Sequence, residues 1–508
     1  MKFNKVKQSS IVLMIVIIVA KLVGMLRDIV LANYFGTSNI SDAYLIASSV
    51  PTLLFYFIGH SISTAYIPMY NKAKYERSEK SSLTYTNSII NISFIIATFL
   101  VFFLFAWPES VVKLFASGFD VETKLITAKI IRISAVSLYL MVFVSVLGGY
   151  LQANKNFVIP AMVSLPKNVA IVVSIAIAAM YGIEWLGWGL ILSCAMELLL
   201  LLPFALTKGY RYSFALNIKD SYVKDTWYVV LPIIVGMCVG QINKIIDRSL
   251  ASVVCEGGVS ALTYASVINN AVQEVLVTGI ITILFSNCAE WVVKGEHEKI
   301  REKLSSTVKT MILFLLPAMV GVIILAEPIV SLLLGRGEFD RTSVNMTVGA
   351  LRFYTMGLLF LAIRDALVKV FYAYKKTKTT TIVSVVSILI NIIFNLVLYR
   401  LIGLNGLALA TAISAIFNSL VLYVLLRRLI GDFGLKSTIV VAVKSLIACG
   451  IMAFFVLAVK HFMGNVSTIF SLGISVCVGV AVYFCATIVL KVDAVMDIAK
   501  KAKGLLKR

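Results

Sequence analysis

The amino-acid sequence predicts an all-α polytopic membrane protein with about 14 transmembrane helices, arranged as two six-helix halves followed by an extra helix pair. The first observation behind this prediction is composition. The 508 residues are 60% hydrophobic and only 14% charged, with a mean hydropathy of +0.96, whereas soluble chains are about 45–50% apolar and about 25% charged. The second is the recurrence of apolar runs long enough to cross a bilayer core, which takes about 20 helical residues. The third is an internal repeat.

The apolar runs are bounded by charged residues or by Gly, Pro and Asn. In chain order they cover, approximately, 9–34, 41–70, 86–107, 129–151, 158–181, 186–206, 226–250, 263–286, 308–326, 345–372, 380–401, 405–427, 437–459 and 467–490. The first run contains Lys21 and Arg27 and lacks a small-x-small cleavage site, so we expect it to stay in the mature protein instead of serving as a signal peptide.

The distribution of Lys and Arg predicts the orientation of the runs, because positively charged loops stay on the cytoplasmic side. With the amino terminus inside, about 29 Lys and Arg fall in cytoplasmic segments and about 7 outside. Both termini are therefore predicted to be cytoplasmic, in a multi-pass protein of the bacterial cytoplasmic membrane. The same asymmetry accounts for most of the formal net charge of +21, so a nucleic-acid partner is not expected.

An internal repeat relates the two halves of the chain at a spacing of about 220 residues. The residues that recur are Asp28, Leu31, Ala32, Ser41, Tyr44, Ala153 and Lys155, matched in order by Asp247, Leu250, Ala251, Ser260, Tyr264, Ala373 and Lys375. We divide the chain into a first six-helix lobe at 1–225, a second at 226–430, an extra helix pair at 431–491 and a basic amphipathic cytoplasmic tail at 492–508. Two such lobes have the same orientation and leave a cleft usable for alternating access.

Motifs for nucleotide hydrolysis and for common catalytic centres are missing. The sequence has no G-x-x-x-x-G-K-[ST] loop, no H-E-x-x-H, no G-x-S-x-G and only three histidines. We therefore expect neither an enzyme nor an ATP-driven pump, and no resident cofactor.

Ionisable residues at membrane depth are the main candidates for function, since each costs roughly 2.5–3.5 kcal/mol at a helix centre. One interpretation is a cationic cavity between the halves that binds an anionic ligand such as a diphosphate. The other is that Arg27 with Asp28, and Asp247 with Arg248, neutralise each other or reach the interface. The candidate cavity residues are Lys21, Arg27, Asp28, Asp42, Lys244, Arg248 and Arg352.

A second candidate set offers oxygen ligands of the kind hard cations prefer. It comprises Asp247, Asn391, Asn395 and Thr411. The alternative for the two asparagines and the threonine is hydrogen bonding between membrane helices, which is the commoner role of such residues.

Several ordered motifs resemble one known family. They are Lys21-Leu-Val-Gly-Met-Leu-Arg-Asp28, Tyr34-Phe-Gly36, Ser41-Asp-Ala-Tyr44, Ser63-Thr-Ala-Tyr-Ile-Pro68, Pro166 with Asn168, Gln241-Ile-Asn243, Ile246-Asp-Arg248, Leu325-Ala-Glu-Pro-Ile-Val330, Arg336-Gly-Glu-Phe-Asp340 and Gly406-Leu-Ala-Leu-Ala-Thr411. Over nearly its whole length the chain resembles the MurJ (MviN) lipid II flippases of the multidrug/oligosaccharidyl-lipid/polysaccharide exporter superfamily.

The resemblance implies a MATE-like protein of 14 helices that moves lipid II, an undecaprenyl-diphosphate-linked peptidoglycan precursor, from the inner to the outer leaflet. It also implies a cationic central cavity, a lipid-tail groove formed by the last helix pair, membrane-lipid contacts and cell-wall synthesis proteins as partners. Sodium or proton coupling is implied as well. Lys21 stands where the family commonly has Arg, and Asn395 stands where some members have a second Asp.

Two further departures leave the transported glycan open. Phe55 and Tyr56 replace paired arginines that some members carry, and Val267 stands where some have Arg. The alternatives are therefore a flippase for another undecaprenyl-linked glycan, of the capsule or O-antigen type, a drug or cation exporter, and a scaffold in a cell-wall complex.

Overall fold

The structure is a computed structural model that describes residues 2–463, 467–492 and 495, with backbone alone for 2–11, 14, 57, 58, 60–64, 231–233 and 235–239. The described residues form nineteen helices. In chain order these are α1 Lys2–Phe35, α2 Asn39–Glu76, α3 Glu79–Ala106, α4 Pro108–Phe115, α5 Val121–Ala135, α6 Ser137–Ala153, α7 Val158–Met162, α8 Ser164–Tyr181, α9 Glu184–Thr207, α10 Ser221–Val254, α11 Gly258–Lys294, α12 His297–Ile324, α13 Ala326–Leu333, α14 Arg341–Met356, α15 Leu358–Ala373, α16 Thr377–Ile402, α17 Leu404–Ile430, α18 Leu435–Phe462 and α19 Thr468–Val489.

The helices confirm the predicted fold class of a polytopic α-helical membrane protein. Among the described residues, nine helical stretches are long and apolar enough to cross a membrane, and two bent pairs, α5 with α6 and α14 with α15, raise this to eleven. The three remaining predicted spans coincide with α1, α2 and α10, which are 34, 38 and 34 residues long. On length these three also exceed the 20 residues or so that a bilayer requires. The exact number of 14 stays a prediction.

The internal repeat is visible in the backbone. The bend between α5 and α6 is 47°, and its counterpart between α14 and α15 is 44°. Each bent pair ends in a lysine with a left-handed backbone, Lys155 at φ 63° and Lys375 at φ 56°. The amide of the following residue then donates back to the helix, from Asn156 to Leu151 O at 2.8 Å and from Lys376 to Phe371 O at 2.9 Å. The same helix ending is therefore built twice.

The chain forms two compact units. The first holds the residues up to Ser260 together with Arg336–Asp340, and the second holds Ala261–Gly335 together with the residues from Arg341 onwards. The first unit extends past the predicted lobe boundary at 225/226 because α10 packs against α2, α3 and α4. The predicted lobe boundaries concern the repeat and stay a prediction.

Each unit has its own core. In the first, Tyr66, Tyr70 and Tyr150 are fully buried and their rings stack or meet edge to face. In the second, α19 is tied to α12 where the Tyr483 hydroxyl donates to Leu313 O at 2.9 Å. Val492 and Val495, the described beginning of the predicted amphipathic tail, are buried in the second core. The rest of that predicted tail lies outside the described residues.

Two glycines allow turns of the first unit to pack closely. Gly257 has φ 73°, and a Cβ built there would lie 2.1 Å from Thr37 O. Gly337 has φ 58°, and a Cβ would lie 2.2 Å from Asn33 O. The neighbouring Glu338 amide donates to that same Asn33 carbonyl at 2.9 Å. The 336–340 loop is therefore held against the end of α1, and the turn before α11 against the turn after α1.

The two left-handed lysines generate a stability prediction. We expect Lys155→Gly and Lys375→Gly each to stabilise the protein by about 0.5–1 kcal/mol, because glycine removes the steric cost of a left-handed L-residue and only part of the gain is lost to backbone entropy. Thermal unfolding of the purified protein in detergent measures this. Lys309→Gly, in the interior of α12, is the control and should cost about 1 kcal/mol. A lower melting temperature for both turn variants would contradict the strain argument.

Candidate functional site

Arg27 and Asp28 form an ion pair on α1. The Nε and Nη2 atoms of Arg27 both donate to Asp28 Oδ1, at 3.0 and 2.7 Å. The Asp28 side chain is 9% exposed, while that of Arg27 is 33% exposed. Arg27 lies eight residues before the end of α1, about 12 Å along the helix axis. The pair therefore lies within the first predicted span, and a third of the Arg27 side chain remains accessible.

Two residues that the sequence did not single out as site residues complete the surroundings of the pair. Arg27 Nη1 also approaches Asn168 Oδ1 of α8 at 3.4 Å, while Asn168 Nδ2 is anchored on Ser164 O at 2.7 Å. Tyr44 of α2 is buried and lies close enough to interact electrostatically with both charges. A neutral amide in an apolar span was the available signal for Asn168, and a search confined to ionisable residues passes over it.

The predicted cations of the seventh span lie on α10, in the same unit. Lys244 and Arg248 are one turn apart on one face, and the Lys244 side chain is exposed. Arg248 lies six residues before the end of α10 and Lys244 ten, or about 9 and 15 Å along that helix. Asp247 accepts a hydrogen bond from Asn243 Nδ2 at 3.2 Å. Lys21 is exposed on α1, six residues or about 1.7 turns earlier than Arg27.

The Asp42 carboxylate makes a structural hydrogen bond. It is 1% exposed, and its Oδ1 accepts a hydrogen bond from the Ser260 amide at 2.7 Å. Ser260 is in the first turn of α11, where backbone N–H groups have no intrahelical partner and a carboxylate is electrostatically favoured. Asp42 of α2 thus caps α11 from outside that helix. Its predicted role in substrate binding stays a prediction, since the carboxylate does not face an open cavity in this structure.

Arg352, the remaining predicted cavity residue, belongs to the second unit. Its side chain is exposed, and its Nε donates to Ile323 O at 3.2 Å in the last turn of α12. A cation at a helix carboxyl end is favourable because the last carbonyls have no intrahelical partner. The described contact is therefore helix capping, and a role in the cavity stays a prediction.

The oxygen-ligand set divides between the units, with Asp247 in the first and the other three residues in the second. Asn391 and Asn395 are almost fully buried, and Asn395 Nδ2 donates to Asn391 Oδ1 at 2.9 Å. Thr411 donates to Leu407 O of its own helix at 3.2 Å. These contacts lie within α16 and within α17, whereas the alternative from the sequence was hydrogen bonding between helices, so that alternative also stays a prediction. Sodium binding stays a prediction, and no transport step is derived from a bound ion.

The second unit also contains a cavity of about 540 Å³ near the end of α17. It is lined by Leu420, Tyr423, Val424, Arg427, Arg428 and Leu435. None of the predicted site residues lines it. Arg427 already pairs with Asp432, with 3.2 Å between Nε and Oδ1.

The arrangement in the first unit can bind an anion. A guanidinium has five N–H donors in a planar fork; Asp28 takes up two of them and Asn168 is approached by a third. A third of the Arg27 side chain is exposed, and in a low-dielectric surrounding a charge-assisted hydrogen bond from a remaining donor to a phosphate is strong. An oxyanion arriving there would find a positioned arginine with no need to immobilise a flexible side chain.

The fold is that of a polytopic helical membrane protein of the MATE-like class. A solved structure described as an inward-facing multidrug resistance MATE family transporter of the MOP superfamily shares this fold, with a TM-score of 0.69 and 16% identity over 84% of this chain and 99% of its own. The family model described as lipid II flippase MurJ matches residues 31–477. The chain belongs to that family, which is a transporter family and not a catalytic one.

Relatives and solved structures of the family match almost the entire chain. The protein named lipid II flippase MurJ of Thermosipho africanus is 28% identical over 94% of both chains. The probable lipid II flippase MurJ of Thermotoga maritima is 27% identical over 95% of this chain and 96% of its own. A structure of lipid II flippase MurJ in an inward closed conformation has a TM-score of 0.83 and 26% identity, covering 95% of this chain and 99% of its own. Fold and family predictions are confirmed.

The capping contact of Asp42 generates a prediction. We expect Asp42→Ala to destabilise the protein by about 1–2 kcal/mol, because the Ser260 amide loses its acceptor in a buried position. Asp42→Asn keeps an amide oxygen there and should lose less. Thermal unfolding in detergent is the measurement, with Glu122→Ala, an exposed acidic residue in the first turn of α5, as the control. A melting temperature for Asp42→Ala equal to that of the unmodified protein would show that the cap is unimportant.

Proposed function

We propose that this protein flips lipid II from the inner to the outer leaflet of the bacterial cytoplasmic membrane, by alternating access and without ATP. Support comes from membership of the MurJ family over residues 31–477 and from relatives named lipid II flippase, of whose own length 94% and 96% is matched. The observation that carries the site is Arg27, a residue of the first predicted span whose side chain is one-third exposed and whose donors are only partly used by Asp28.

The head group is the part of such a substrate that needs the protein. A diphosphate taken into low dielectric without a counter-charge is prohibitively costly, whereas a polyprenyl tail is stable in lipid. In the proposal Arg27 and Lys21, assisted by Lys244 or Arg248, replace water around the diphosphate, while the glycan enters the cavity and the tail stays in the bilayer.

Asp28 has a defined part in this scheme. In the empty carrier it neutralises Arg27, so the pair lies within the membrane without a net charge. An arriving diphosphate carries more negative charge than one carboxylate and offers several acceptors, so it competes for the same guanidinium. Release of the diphosphate restores the Arg27–Asp28 pair, which favours the return of the empty carrier.

The orientation belongs to the same proposal. The concentration of Lys and Arg in alternate loops supports cytoplasmic positions for both termini and for the turns at 77–78, 208–220 and 295–296. Contacts with cell-wall synthesis proteins are part of the expected setting, since the transported precursor is made on one side of the membrane and used on the other.

Loss of Arg27 should abolish transport. In a bacterium whose own lipid II flippase can be shut off, we expect the unmodified chain to sustain growth and Arg27→Ala to permit lysis at equal membrane levels, because the diphosphate loses its main donor. Arg400→Ala is the matched control, since that arginine is exposed and contacts its own neighbour Tyr399. Growth supported by Arg27→Ala would contradict the assignment of Arg27 to the diphosphate site. Lysis even with the unmodified, well-inserted chain would favour another undecaprenyl-linked glycan or a missing host partner.

Ion coupling is tested by restoring a charge. If Asp247, Asn391, Asn395 and Thr411 bind sodium during the cycle, Asn395→Asp should tighten binding, because a carboxylate is a better ligand for a hard cation than an amide. We expect transport in reconstituted vesicles to respond to sodium at several-fold lower concentration in this variant. Thr411→Val should weaken the response in both backgrounds. Transport that is insensitive to sodium in all of these variants, yet responds to a proton gradient, would assign the coupling to protons.

A further inference from the structure

The segment 209–220, which joins α9 to α10, is a non-helical stretch on the predicted cytoplasmic side, here called the strap. It begins at Gly209, which has φ 86° and lies two residues after the end of α9, and it leads into α10 through the capping residue Asp220. Unlike an ordinary solvated loop, the strap runs along α3 and is bonded to it.

Two buried asparagines of α3 satisfy the strap backbone. Asn87 Nδ2 donates to Arg211 O at 2.9 Å and to Ser213 Oγ at 2.9 Å. Asn91 Nδ2 donates to Ser213 O at 3.3 Å and to Ala215 O at 2.7 Å. Three carbonyls of a non-helical stretch thus have partners inside the protein, which is the condition for irregular backbone to leave water.

Further hydrogen bonds hold the strap in the same register. The Asn217 amide donates to Ser88 Oγ at 3.2 Å. The hydroxyls of Tyr210 and Tyr212 donate to Asn87 Oδ1 at 3.1 Å and Asn91 Oδ1 at 2.7 Å. The polar stripe of α3 is consequently covered by the strap, and the strap cannot move away without exposing it.

The depth of these contacts places the strap at the edge of the hydrocarbon. Asn87 and Asn91 lie eight and twelve residues into α3, about 12 and 18 Å from its first residue. α3 has 28 residues, about 42 Å of helix, of which a bilayer core needs about 30 Å. The last 20 residues or so, from about Asn87 onwards, suffice for the core.

Alternate residues in the middle of the strap carry exposed apolar side chains. Phe214 is 85% exposed, Leu216 44% and Ile218 56%. An exposed apolar stripe of this kind on a loop marks a surface that has a partner. Arg211 and Lys219, at either end of the stripe, are exposed, and no ion pair or hydrogen bond of their side chains occurs within the described part of the chain.

We propose that the strap is a membrane-binding element that inserts Phe214, Leu216 and Ile218 into the inner leaflet and places Arg211 and Lys219 on anionic phospholipid head groups. Apolar side chains between basic flanks are the pattern of interfacial segments, and anionic lipids attract Lys and Arg near the surface. Most such elements are amphipathic helices. Here Asn87 and Asn91 of α3 supply the hydrogen bonds that a helix would make internally, so a non-helical segment can also lie at the membrane surface.

Site-directed spin labelling tests the insertion. In a variant whose seven native cysteines are replaced, nitroxide labels at Phe214→Cys and Leu216→Cys are compared in phospholipid vesicles with labels at Ala215→Cys and Glu298→Cys. Collisions with oxygen report lipid, and collisions with a water-soluble nickel chelate report water. We expect accessibility to oxygen to exceed accessibility to nickel at 214 and 216. At 215, which faces α3, both accessibilities should be low, and at 298 accessibility to nickel should be the higher. Nickel accessibility at 214 and 216 equal to that at 298 would overturn the proposal.

The lipid charge is tested with the same labels. We expect the label at 214 to become more accessible to nickel when phosphatidylglycerol is omitted from phosphatidylethanolamine vesicles, and Arg211→Gln with Lys219→Gln to abolish this dependence. Lys113→Gln with Lys124→Gln, on the predicted outer side, is the matched control and should leave the dependence intact. Equal depth with and without phosphatidylglycerol in the parent would overturn the head-group contact.

Discussion

The cost of polar groups in hydrocarbon is the constraint on which this structure depends. Each charge at membrane depth costs roughly 2.5–3.5 kcal/mol, and the chain meets this cost by placing Asp28 directly after Arg27. The same device recurs on α15, where Arg364 Nε and Nη2 donate to Asp365 Oδ1 at 3.0 and 2.7 Å. A neutral amide from another helix completes each pair, Asn168 beside Arg27 and Gln273 beside Asp365. Both pairs are thus locally neutral units.

Neutralisation and function are compatible in such a unit. The sequence left open whether Arg27 and Asp28 merely cancel each other or contribute to a cationic cavity. The geometry shows the ion pair, but Asp28 engages only one edge of the guanidinium and a third of the Arg27 side chain is exposed. A carrier for a diphosphate needs a cation that is tolerated when the site is empty and available when substrate arrives, and a paired arginine with free donors meets both needs.

Amide side chains also reduce the cost of backbone groups that have no helical hydrogen bond. Asn87 and Asn91 satisfy the carbonyls of a non-helical segment. At the ends of helices the same need is met by Asp42, which caps α11, and by Arg352, which bonds the last turn of α12. Predicted site residues therefore serve helix ends as well, because a membrane protein has few polar side chains and many unsatisfied helix termini.

The sequence by itself determined the fold class, the approximate spans, the repeat and the family, since hydrophobic length, loop charge and spaced motifs act locally along the chain. It also singled out Arg27 and Asp28, because a charge in an apolar run is visible without coordinates. Only the tertiary structure decided that Asn168 and Tyr44 surround that pair, that the buried Asp42 of α2 caps α11, and that α10 packs with the first unit. These three contacts depend on which helices become neighbours. An apolar helix face can pack against many others, so the summed contacts of the whole fold decide which helix it packs against.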